Sequence, residues 1–152
     1  ERVADKISKI INNEELISAA YLHDTIEDVK DNLETLKKLK QEINELSPLV
    51  LNYVENLSHD KNTENYEEYV KRISKSDKLL VLKFCDIIDN LTNNPTKEQK
   101  EKYQKALTIL LAKISEKDFT TKEEQKKGLN IPTIAIIAFI IILILIVIIR
   151  RK

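Results

Sequence analysis

From Ile131 to Ile149 the chain carries no charged side chain, and eleven of those nineteen positions are isoleucine. As an α-helix such a run is roughly 28 Å long, close to the hydrocarbon thickness of a bilayer. A helix that is apolar on every side has to be surrounded by protein or by lipid. A chain of 152 residues has too small a domain ahead of the run to enclose it. The stretch therefore reads as a membrane span. With only Arg150, Arg151 and Lys152 behind it, it reads as a C-terminal anchor.

The rest of the chain divides around that span. Residues 1–118 mix charged and apolar positions as one small folded domain does, and residues 119–130 form a polar linker that breaks at Gly128 and Pro132. Residues 131–149 are the anchor and 150–152 a basic tail. Lys126 and Lys127 flank the span on one side and three basic residues on the other, a slight lean toward a cytoplasmic C-terminus. Against this, no export signal is visible at the N-terminal side, and a single Cys excludes an intrachain disulfide. The domain is expected on the cytoplasmic face. Net charge is zero, the tail supplies three positive charges, and the remainder is at −3. No basic stripe with interleaved aromatic residues occurs, which argues against a nucleic-acid partner. Residue 1 is Glu and Met is absent, so the chain is expected to be part of a longer protein.

Gly is absent before residue 128 and no strand-like alternation appears, so the domain is expected to be all-α. Val3, Ile7, Ile10 and Ile11 mark a first helix. Asn13 caps a second, through Leu16, Ile17, Ala19, Ala20 and Leu22 to His23 and Asp24. Asp31 or Asn32 caps a third, with Leu33, Leu36 and Leu39 on one face. Ser47-Pro48 opens Leu49–Leu57 as N-cap and first helical residue. Thr63 precedes a helix over Glu64–Ser74, and Ser76-Asp77 one over Lys78–Leu91. Thr96 and Gln99 form a capping box before a long helix with Tyr103, Ala106, Leu107, Leu110, Leu111 and Ile114 on one face.

The helix over 78–91 is apolar around nearly its whole circumference and is predicted to lie at the domain centre. Asp86 is then interior, with Asn90 one turn on and Lys83 one turn back. The small pair Ala19-Ala20 predicts a close approach of the second helix, bringing His23 and Asp24 beside Asp86. An unpaired buried carboxylate costs several kcal/mol, so a partner charge or a cation is required. A turn-spaced Lys83–Asp86 pair is one answer. Ligation of a divalent metal such as Mn²⁺, Fe²⁺ or Zn²⁺ by His23, Asp24 and Asp86 is the preferred one. Glu27 and Asp28, one turn beyond, would then handle protons of a water whose pKa the cation lowers.

AAYLHDTIED (19–28) and VLKFCDIIDNL (81–91) together resemble motifs of the HD-domain phosphohydrolases, in particular the RelA/SpoT-type hydrolase domain and its small stand-alone relatives. ENLSHDKNTENYEEYVKRIS and EKYQKALTIL resemble the segments between and after them, so the likeness covers residues 1 to about 114. The resemblance implies an HD-type helical bundle that binds Mn²⁺ and removes pyrophosphate from guanosine tetra- or pentaphosphate. It implies metal ligation by His23, Asp24 and Asp86, water activation by Glu27 and Asp28, and a nucleoside contact at Asn90. Lys83 and Tyr66 are further candidates for the substrate pocket. Glu1-Arg2-Val3-Ala4 resembles the end of the family's H-P-x-x-V-A motif, so its first His ligand is expected ahead of residue 1. Without that His, the alternative is an inactive, membrane-anchored module that binds a nucleotide or a protein. An HD enzyme for another nucleotide is the third reading. His59 reads as solvated loop, Cys85 as core filler, and Lys37, Lys38 and Lys40 as a solvated face; Asp89 is ambiguous, with simply facing water as one reading.

Overall fold

Eight helices follow one another over residues 1–124, the part of the chain that the computed structural model describes, with side chains described for 1–116. They are α1 (Arg2–Ser8), α2 (Glu14–Leu22), α3 (Thr25–Val29), α4 (Leu33–Leu46), α5 (Pro48–Leu57), α6 (Tyr66–Ile73), α7 (Asp77–Thr92) and α8 (Lys97–Glu124). Among the described residues there is no strand, and the protein is all-α.

Local chemistry sets most of the helix starts. A side-chain oxygen that accepts an N–H from the first turn satisfies a donor the helix leaves without a partner. Asn13 takes the Leu16 N–H at 2.7 Å, Asn32 the Thr35 N–H at 3.0 Å, and Ser47 and Ser76 play the same part for α5 and α7. Thr96 and Gln99 exchange bonds of 2.9 and 3.2 Å as a reciprocal box. The cap of α6 is Asn65 rather than Thr63, in a full box with Glu68. Thr63 turns its hydroxyl to the Asp60 carbonyl instead.

α7 is the member on which the others condense, packing against α1, α2, α5, α6 and α8. Leu82 and Ile87 are fully buried, as are Ile7 of α1, Leu16 of α2, Val54 of α5, Val70 of α6 and Leu110 of α8. Each such side chain contributes about 1.5–3 kcal/mol by leaving water. Ala19 and Ala20 are fully buried, but α2 rests mainly against α1 and α5 and meets α7 over a smaller area.

Three expectations change. α1 stops at Ser8, and Ile10 and Ile11 reach the core from the turn that follows. Leu33 is 72% exposed, because the apolar stripe of α4 runs through Leu36, Leu39 and Ile43 and its first turn projects past the core. α8 continues to Glu124, into the stretch read as linker, since nothing before Gly128 breaks a helix there. The remainder of that linker, the span at 131–149 and the tail at 150–152 lie outside the described residues. Among the described residues no helix is long and apolar enough to cross a membrane.

Candidate active site

His23 and Asp24 occupy the joint between α2 and α3, where α2 leaves its last carbonyls open. Thr25 Oγ1 donates to the Leu22 carbonyl at 2.7 Å, and His23 Nδ1 to the Ala20 carbonyl at 2.8 Å. A carbonyl only accepts, so Nδ1 carries a proton and Nε2 is turned to the interior. There Nε2 lies 3.0 Å from Asp24 Oδ2 and 3.5 Å from Asp86 Oδ1. The fold thus brings His23, Asp24 and Asp86 together from two places in the chain.

Asp86 is 6% exposed and fully engaged. Lys83 Nζ is 2.8 Å from Oδ2, and Asn90 Nδ2 donates to Oδ1 at 2.8 Å and to the Asp86 carbonyl at 3.0 Å. The Lys83–Asp86 pair, the less favoured reading of the sequence, is therefore present. Burial pushes the Asp86 carboxyl up, but Lys83 and His23 outweigh it and hold it well below the usual carboxylate range. Burial likewise opposes charge on Lys83, and Asp86 overrides it and raises its pKa. For His23 burial is again adverse, yet the hydrogen bonds to Asp24 and Asp86 push its pKa up to about 10. Opposite charges on Lys83, His23 and Asp86 thus support one another against burial.

One imidazole nitrogen and two carboxylates suit Mn²⁺ as a donor set, and an imidazole anchored through its other nitrogen is the usual arrangement of a metal-binding His. The separations of 3.0 and 3.5 Å resemble the roughly 3 Å between neighbouring donors around a cation bonded at about 2.1 Å. Among the described residues, however, no three His, Cys, Asp or Glu side chains are posed around a common point as a metal cluster. The donors face one another across His23 Nε2. The Asp24 side chain, 67% exposed, has the freedom to turn aside and make room.

Two clefts meet at Asp24, Asp86 and Asn90. One, of about 330 Å³, is closed by Glu1, Arg2 and Val3 of the α1 end together with Asp89. The other, of about 230 Å³, is walled by Tyr66, Tyr69 and Tyr103, with Lys61, Lys83 and Lys102 around it. Of the expected residues, Glu27, Lys83, Asn90 and Tyr66 line the second cleft. Asp28 does not join them; it is exposed and lines neither cleft, because the next position on α3 points about 100° away from Glu27.

Several residues here were not singled out from sequence. His59 is half-buried: its N–H donates to Glu27 Oε1 at 2.7 Å, its Nε2 meets the Glu64 carbonyl at 3.0 Å, and its ring stacks on Tyr69 at 4.8 Å. Arg72 clamps the same loop, bonding Glu64 through Nε at 3.0 Å and Nη2 at 2.6 Å. Asp89 does not face water; it is 6% exposed and bonded to Arg2 and Lys6. Lys102 lies 4.4 Å from the Tyr66 ring centre and 4.9 Å from that of Tyr103. No sequence pattern pointed to Asp89, since its partners lie more than 80 residues away. No family model, no curated protein and no solved structure matches the chain.

Proposed function

We propose that the protein is an HD-type, Mn²⁺-dependent phosphohydrolase that removes pyrophosphate from a guanosine polyphosphate, tethered to a bilayer by residues 131–149 with its domain in the cytoplasm. The observation that carries this reading is the meeting of His23, Asp24 and Asp86 at 3.0 and 3.5 Å beside one cleft, with Asp24 and Asp86 also lining a second that is walled by tyrosines and lysines.

His23, Asp24 and Asp86 would hold the cation. When bound, it would supply a Lewis acid that polarises a phosphoryl oxygen and eases ionisation of water. The chain's own groups do the rest. Lys83 and Asn90 fix the Asp86 carboxylate from both oxygens, so its position costs no reorganisation. Glu27 Oε1 is committed to the His59 N–H, which leaves Oε2 to take a proton from the attacking water. Asp28, being exposed, is left without a part in that step. The Asn90 amide nitrogen is spent on Asp86, and its carbonyl oxygen is the end that receives a ribose hydroxyl. Tyr66 and Tyr103 offer faces for a base, and Lys61 and Lys102 offer positive charge for phosphates.

The test uses the full-length protein, including any residues that precede Glu1. Mn²⁺ binding is followed by calorimetry alongside pyrophosphate release from guanosine tetraphosphate and a panel of other nucleotides. The expected result is Mn²⁺-dependent turnover that Asp86→Asn abolishes together with metal binding, while helical content stays. Absence of both Mn²⁺ binding and turnover ends the proposal. A second reading, an inactive binding module, is favoured by one observation: Asp86 already has a partner on each oxygen. Nucleotide binding that needs no metal and yields no product would support it.

A further inference from the structure

Asp89 is 6% exposed and serves two cations of α1: Arg2 Nε donates to Oδ2 at 3.0 Å, and Lys6 Nζ donates to Oδ1. Asn93 Nδ2 adds a bond to Oδ2 at 3.0 Å. One carboxylate neutralises only one of those two cations. Lys6 is the deeper, with its side chain 27% exposed against 67% for Arg2. Arg2 is thus the more accessible of the two, at the wall of the 330 Å³ cleft whose lining also holds His23 and the carboxylates of Glu1, Asp24 and Asp86.

The mode of attachment matters as much as the charge. A bond through Nε fixes the plane of the guanidinium and leaves Nη1 and Nη2 clear of Asp89. Among the described residues neither has an acceptor. A guanidinium held in this way offers a rigid pair of donors matched to two oxygens of a phosphate. A guanidinium placed only as a surface solubiliser has no need of a buried carboxylate to orient it.

We infer that Arg2 is an anion-binding residue of this cleft. Oriented by Asp89, it takes the oxygens of a phosphate or pyrophosphate group brought beside His23, Asp24 and Asp86. The inference rests on the proposed function for the nature of the ligand, but its binding step is measurable without turnover. Asp89 is on this view a positioning residue that acts through Arg2.

Inorganic pyrophosphate is titrated into the full-length protein by calorimetry, with and without Mn²⁺, for wild type, Arg2→Gln, Arg2→Lys and Asp89→Asn. Arg2→Gln is expected to weaken binding at least about tenfold, the loss of a charge-assisted hydrogen bond. Arg2→Lys should recover part of it, with a steeper salt dependence, because a point charge replaces the fork. Asp89→Asn should weaken binding while Arg2 is still present. Equal affinity in wild type and Arg2→Gln, or no pyrophosphate binding by wild type, overturns the inference. If guanosine tetraphosphate is hydrolysed with an unchanged KM in Arg2→Gln, the inference falls and the phosphohydrolase stands. If pyrophosphate binding depends on Arg2 but no nucleotide is cleaved, the hydrolase falls and the anion site stands.

Discussion

Arg72→Met tests how the loop between α5 and α6 is held over the second cleft. The Arg72 guanidinium grips the Glu64 carboxylate with Nε and Nη2 at 3.0 and 2.6 Å. Its Nη1 and Nη2 also reach the carbonyls of Asn56 and Ser58 at 2.9 and 3.3 Å, and its plane lies over the Tyr69 ring at 5.4 Å. The side chains of the pair are 37% and 17% exposed, so the ion pair is partly screened by solvent and is discounted from the strength of a dry one. A two-point charge-assisted fork in that setting contributes about 2 kcal/mol, and the two carbonyl bonds about 1 kcal/mol together. Methionine keeps much of the apolar packing on Tyr69 and removes every donor. The expected loss is about 3 kcal/mol, or about 12 °C in Tm for a domain of this size.

The same pair predicts a pH signature. The hydrogen bond from Arg72 is the main cause that holds the Glu64 carboxyl below its ordinary value of 4.5. A carboxyl whose pKa is lowered in the folded state stabilises the fold above the unfolded pKa, and that stability is lost as pH falls through the folded value. The gap between wild type and Arg72→Met is therefore full at neutral pH and shrinks as the solution is acidified below 4.5. Urea unfolding followed by far-ultraviolet circular dichroism at several pH values measures both quantities. A cost under about 0.5 kcal/mol, or a gap that does not change on acidification, would refute the assignment of the loop clamp to this pair.

Asp89→Ala, which leaves two α1 cations without their buried acceptor, is expected to cost about 2–3 kcal/mol in urea unfolding. In double-mutant cycles Lys6 should couple to Asp89 more strongly than Arg2 does, because it is the less exposed partner; the reverse order would contradict this. Cys85 is 1% exposed, and burial pushes its thiol up to about 12, so a thiol reagent should label the native protein at least about a hundredfold more slowly than the urea-unfolded chain. Comparable labelling rates would show that α7 is not closed around it.

Much of the helix layout was readable from near neighbours in the chain. Asn13, Asn32, Ser47, Ser76 and the Thr96–Gln99 box announce helix starts because a cap bonds the residue three positions on. Thr63 stood ahead of the expected Glu64–Ser74 helix, but the cap is Asn65, whose reciprocal bond with Glu68 opens the helix at Tyr66. The central place of α7 was equally plain, since apolar residues on every side leave a helix no face for water. His23, Asp24 and Asp86 were legible as unusual residues in apolar settings, and their meeting followed from one inferred helix crossing.

Lys83 and Asn90 beside Asp86 were legible from helix spacing; the partners from other helices were hidden, and the reason is distance along the chain. Arg2 reaches Asp89 across 87 positions and the His59 N–H reaches Glu27 across 32, so no local periodicity records either contact. Asp89 was ambiguous because its own helix says nothing of the α1 cations laid against it. Asp28 looked like a partner of Glu27 because adjacent letters do not reveal the turn of about 100° that separates them on a helix. Helix type and start arise from bonds three or four residues apart, which a chain carries in its order of side chains. Which charge meets which across two helices is set by how apolar faces pack, and that exists only once the bundle has closed.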